Sequence, residues 1–350
     1  MRRSKGKGEP SATPVEKIKG VPQIDILKAF AIITVVLLHA LPLSVFLAIG
    51  APYYFWQAVP VFIVIAGFTG AYMYKKYGAT TLRQCYDPGL IIRRFKRLLI
   101  PFILCWLAEM GMLYYLAPDH LAGISLPLNF ITGGFGWGAY FIPIILQSIL
   151  FVPLLYLLAR RSPNWMVIIA LVINIAFDVV VYLFGGGIST ESVYLRYIFL
   201  GALGVWIVTS KKRNNTWLII GGGISLIYIT VSCYTPLLSA YPEYSGYTGA
   251  LQAPAAVWTV ILVLAGLAYL PTNSPTLIKI GKASWHIFLV QLLYYFAPAT
   301  FFYDLVVAPL SVGSEILFVL LVIVFNILIC VGLGYAWYLS ENRIVNYCAG

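Results

Sequence analysis

Ile24-Asp25-Ile26-Leu27-Lys28-Ala29-Phe30-Ala31-Ile32-Ile33-Thr34-Val35-Val36-Leu37-Leu38-His39 opens the first long apolar run of the chain and carries an aspartate, a lysine and a histidine within it. At 100° and 1.5 Å per residue, Lys28 and His39 stand about 20° apart around a helix and about 16 Å apart along it. One helix face therefore holds both. Ionisable groups at membrane depth cost about 2.5 to 3.5 kcal/mol each on insertion scales, so this face must look into a protein-lined or wet site rather than into lipid.

The rest of the chain follows the same pattern. Of its 350 residues 61% are hydrophobic and 10% charged, more apolar material than a soluble core of this size needs. Windows of helical length that could cross about 30 Å of hydrocarbon fall at roughly 24–46, 53–74, 94–117, 138–159, 165–184, 194–210, 216–234, 254–271, 277–298 and 313–338. The expected fold class is all-α, a polytopic membrane protein built as a bundle of about ten transmembrane helices. If the N-terminus lies inside, every Lys and Arg except Lys28 and Arg196 falls on the cytoplasmic side of that arrangement. Both termini are then expected inside, with the protein multi-pass in the cell (plasma) membrane. The net charge of +11 is explained by this topology and by attraction to anionic lipid, which leaves no need for a nucleic-acid partner.

Residues 1–20, basic and broken by Pro10 and Pro14, read as a disordered cytoplasmic tail without the hydrophobic region of a signal peptide, and residues 21–345 as one ten-helix domain. Cys85, Cys105, Cys233, Cys330 and Cys348 are odd in number and scattered, so neither a disulfide framework nor a metal site is expected. No Walker loop, Gly-x-Gly-x-x-Gly or His-Glu-x-x-His pattern occurs, and no internal repeat supports an inverted-repeat transporter.

His39 is the one histidine deep within a predicted span, with His120 in an outer loop and His286 near the inner end of the ninth. An imidazole can take a proton from an attacking hydroxyl and return it to a leaving group near neutral pH; its bland alternative is a bond across to a neighbouring helix. Arg93-Arg94-Phe95-Lys96-Arg97 leads into the third span, and Arg94 and Arg97, at i and i+3, share a helix face. Two guanidinium forks there suit the diphosphate or 3′-phosphate of a cytosolic nucleotide carrier, whereas an ordinary positive-inside stop would need no such pairing.

Asp25-x-x-Lys28 with His39, Phe62-Ile63-Val64-Ile65-Ala66-Gly67-Phe68, Arg94-x-x-Arg97 before Pro101, and Gly136-Trp137-Gly138-Ala139-Tyr140-Phe141-Ile142-Pro143 before Gln147 resemble the acyltransferase-3 family of membrane O-acyltransferases. Arg196 to Gly201 and Gly281 to Gln291 are similar to its sixth-span and ninth-span signatures, so the resemblance runs from about 22 to 340. It implies transfer of an acyl group, usually acetyl from acetyl-CoA as co-substrate with no bound cofactor, to a hydroxyl of a cell-envelope sugar, a lipid-linked carbohydrate or another acceptor. His39 would be the catalytic base, with Lys28 and Asp25 beside it. Arg94 and Arg97, with Arg93, would bind the acyl-CoA. Lys28 stands where the family usually has arginine, which keeps the charge and loses the bidentate fork. Gln291 stands where its ninth span often has a histidine.

Glu109, Asp178 and Arg196 fall toward the outer side and are expected at the acceptor, together with Trp137, Tyr140 and Gln147. Interfacial anchoring competes for the two aromatics and interhelical bonding for Gln147. The rival functions are a transporter or flippase of a polar lipid or saccharide, and a polyprenyl-linked glycosyltransferase, for which the acidic metal motif is lacking.

Overall fold

The structure is a computed structural model that describes residues 20–40, 43–116, 118–121, 123–184, 190–211, 215–241, 246–300 and 316–349. The predicted tail therefore lies outside the described residues except for Gly20, as does the glycine run at 185–187.

Among the described residues the chain is helical throughout, without strands. In order the helices are α1 Pro22–Leu38, α2 Leu43–Ala48, α3 Ala58–Lys76, α4 Leu82–Cys85, α5 Pro88–Leu116, α6 Leu126–Thr132, α7 Phe141–Arg161 and α8 Pro163–Phe184. They continue as α9 Ile198–Thr209, α10 Asn215–Tyr234, α11 Gly246–Ala250, α12 Ala256–Tyr269, α13 Pro275–Lys282, α14 Ser284–Thr300 and α15 Ile316–Ala349. Among the described residues six segments, centred on α3, α5, α7, α8, α10 and α15, are long and apolar enough by themselves to cross a membrane. α8 shows why: Ile168, Val172, Ile175, Val179 and Leu183 are all exposed, a pattern that water would penalise and lipid does not.

Two of the ten expected windows are not single helices. The first breaks after Leu38, with His39 as the C-cap, and resumes as α2; the ninth is divided at Ala283 into α13 and α14. The second break follows from packing. A Cβ on Gly281 would run into the Asp25 carbonyl, so α13 lies flat against the first turn of α1 before the chain turns into α14.

The core is organised around α3 and α9. A Cβ on Gly67 would overlap the Gly201 carbonyl and one on Gly204 would overlap that of Val64, so the two backbones touch at points where a glycine removes the intervening side chain. Small residues at such contacts give the dispersion that holds helices together where no hydrophobic effect is available. α14 is held to α15 in the same way, with the Gly334 Cβ position 2.5 Å from Ile287 Cα.

Candidate active site

Where α1 stops, its last carbonyls lose their helical donors. Ala40 N–H bonds to Leu37 at 3.0 Å, and the hydroxyl of Tyr295 on α14 donates to the Val36 carbonyl at 3.0 Å. That bond fixes Tyr295 beside the cap residue, and its ring centroid lies 5.6 Å from that of His39. On the other side the Trp137 ring stands 6.0 Å from the imidazole. The imidazole itself makes no hydrogen bond to another described residue.

Trp137 reaches His39 because of the loop that bears it. Gly133, Gly134 and Gly138 have φ of 109°, 104° and 86°, a region that side chains avoid. Such a loop needs anchors to hold one shape. Phe135 N–H donates to Glu109 Oε2 at 3.2 Å, Asn129 Nδ2 donates to the Gly134 carbonyl at 3.1 Å, and Trp106 Nε1 donates to Asn129 Oδ1 at 2.8 Å. The buried carboxylate of Glu109 is thus turned to the loop backbone.

Toward the start of α1 lies a partly open cavity of about 430 Å³, lined by Lys28, Arg94, Arg97 and Lys282 and by one carboxylate, Glu341. A second hollow of about 360 Å³ shares Lys28, Arg94 and Arg97. Arg94 Nη1 donates to the Tyr74 hydroxyl at 3.3 Å, and Lys28 pairs with Asp25 at 2.6 Å. Lys282 stands in the last turn of α13, where the helix dipole favours a cation. Pro101, lacking an N–H, leaves the Arg97 carbonyl without its donor in α5. Basic residues also close α3 (Lys75, Lys76) and α7 (Arg160, Arg161).

The expected site residues thus do not form one cluster. Asp25, Lys28, Arg94 and Arg97 gather at the basic end, while His39 stands with Trp137 at the far end of α1. Arg93 is exposed and does not line the cavity. Tyr140 bonds Tyr247 across a 3.3 Å hydroxyl pair, and Gln147 clamps the turn before α9 through Ser192 O at 2.8 Å and Tyr194 N–H at 3.0 Å. Asp178 takes a bond from Asn174 at 3.0 Å and lies 4.0 Å from Arg196 Nε, and these residues are buried. The side chain of His120 lies outside the described residues.

Sequence reasoning missed Lys282, Trp285, Tyr338 and the His286–Glu341 pair at the cavity, and Tyr295 at His39. Among the described residues no cluster of His, Cys, Asp and Glu could hold a metal ion.

Gln291 is fully buried on α14, and neither amide atom has a partner among the described residues. A buried polar group left unbonded costs about 1 to 3 kcal/mol. Gln291→Leu, of similar volume, is therefore expected to stabilise the folded protein by about that amount in thermal unfolding in detergent. Loss of stability would show that the amide is bonded after all.

A helical membrane protein with a cation-lined cavity at one end of α1 and, at the other, an imidazole flanked by Trp137 and Tyr295 is the class that these observations define. The acyltransferase-domain family, acyltransferase-3, matches residues 21–335, and the chain belongs to it. Comparison with curated proteins found no match, and comparison with solved structures found none.

Proposed function

We propose that the protein is an O-acyltransferase that carries an acyl group, acetyl in the first instance, from cytosolic acyl-CoA to a hydroxyl of a cell-envelope saccharide or lipid-linked acceptor. The observation that carries this reading is the placement of four cations on one cavity, of which Lys28 stands about 16 Å along α1 from an imidazole with no hydrogen-bond partner among the described residues. A CoA thioester has that polarity: anionic phosphates at one end and the reacting carbonyl at the other. Lys28, Arg94, Arg97 and Lys282 would hold the phosphates, with Trp285 and Tyr338 beside them as surfaces for the base. The ten windows would all cross, with the basic end cytoplasmic and the His39 end open to the acceptor.

In the reaction the acceptor hydroxyl attacks the thioester carbonyl while His39 takes its proton. The C–O bond forms, the C–S bond breaks, and the imidazolium returns the proton to the departing thiolate, leaving an ester and free CoA. Glu109, through Phe135, would hold the loop that lays Trp137 over the imidazole, and Trp137, 58% exposed, would offer the acceptor sugar a ring to stack on.

The donor site is tested by acetyl-CoA binding to the purified protein. Arg94→Gln and Arg97→Gln should each weaken binding by about 1.5 to 3 kcal/mol, the scale of hydrogen bonds to charged groups, or roughly ten- to hundredfold. Unchanged affinity in both variants would reduce the arginines to topological charges and remove the donor site from this cavity.

A further inference from the structure

Three phenylalanine rings, from three helices, line the cavity as one contiguous cluster. Phe141 of α7 lies 5.9 Å, centroid to centroid, from Phe62 of α3 and 5.4 Å from Phe288 of α14, with interplanar angles of 54° and 71°. At such distances and tilts aromatic rings are in contact. All three line the cation-bearing cavity, whereas His39 does not. Phe288 and His39 nevertheless converge on one point: a Cβ on Gly138 would stand 3.8 Å from His39 Nε2 and 4.0 Å from Phe288 Cε2. Phe288 thus has the cavity on one side and approaches the imidazole on the other, with Phe141 and Phe62 packed in series beside it.

For reaction, the thioester carbon must come within about 3 to 3.5 Å of the attacking oxygen, itself within hydrogen-bond reach of His39. The phosphates stay on the cations behind. The acyl head must consequently pass these rings first, with the thin thiol arm following. A phenylalanine ring that swings aside opens a slot about as wide as the ring is thick, which passes a flat acetyl group and stops a branched one.

The geometry points to Phe62, Phe141 and Phe288 as a septum that selects the acyl group by width, favouring unbranched over branched acyl thioesters. This rests on the acyl-transfer reading above. The test compares kcat/KM for acetyl-CoA and isobutyryl-CoA, with the full chain in lipid vesicles. The intact protein should strongly prefer acetyl. Phe288→Ala and Phe141→Ala should raise the isobutyryl-to-acetyl ratio about tenfold or more, the scale on which pocket fit discriminates small apolar groups.

Two companion variants guard against a general loss of packing. Phe288→Leu keeps most of the volume and should shift the ratio in the same direction by less. Phe102→Ala removes a buried ring stacked 5.1 Å from Phe130, away from the cavity, and should leave the ratio unchanged. An unchanged ratio in the Phe288 and Phe141 variants, with acetyl transfer intact, would overturn the septum and leave the acyltransferase standing. An equal shift in Phe102→Ala would likewise overturn it. If the intact protein transfers neither acyl group, the acyltransferase reading falls and the septum with it.

Discussion

Replacing His39 with alanine is expected to lower acyl transfer by about 10² to 10⁴, the usual contribution of a positioned acid or base. The measurement is labelled acetyl incorporation into envelope polysaccharide and lipid fractions, normalised to the amount of protein in the membrane. Abundance should hold, because the ring sits at the cap of α1 and the chain turns there through backbone bonds and Tyr295, not through the imidazole. Near-normal transfer at equal abundance would take His39 out of the chemistry, and the family's shared fold would then have to work through another group.

The second large effect is one of sidedness. Vesicles sealed in the native orientation, loaded with acetyl-CoA and given a labelled envelope-polysaccharide fraction only outside, should form product on that fraction, and omission of the protein should abolish it. On the proposed reading the rings divide the cationic chamber from the imidazole, so the acyl group would cross while nucleotide and acceptor stay on their own sides. Product formed only when donor and acceptor share the inner compartment would defeat the two-sided mechanism. Movement of an intact saccharide without acylation would instead favour the transporter.

The ionisable residues of the bundle were legible in the sequence because such groups are scarce in the apolar windows, so His39, Lys28, Glu109 and Asp178 stand out wherever they occur. The helix positions were equally plain from hydropathy. Hydropathy says nothing, however, about where a run of backbone hydrogen bonds is interrupted. The break at Ala283 has no proline or glycine at the break itself; its cause is the contact of Gly281 with Asp25, some 250 positions away. The His286–Glu341 pair was hidden for the same reason, since its members lie 55 residues apart. Glu109 was legible as a special residue, but its backbone partner Phe135 was not. Phe288 and Tyr295 were the least visible, two aromatics in a chain with 20 Phe and 25 Tyr. Only the fold shows that one faces the cavity and the other the imidazole.

The glycine contact between α3 and α9 also limits how the molecule can move. Gly67 meets the Gly201 carbonyl and Gly204 meets that of Val64, like notches cut to fit each other. Sliding either helix by one residue would drive a side chain into backbone at both points, so the pair has one register and serves as a fixed frame. Phe62 belongs to that frame. If the protein turns over as proposed, α3 and α9 would move as one body, and any yielding during the cycle would fall to the side chains and helices packed around that pair.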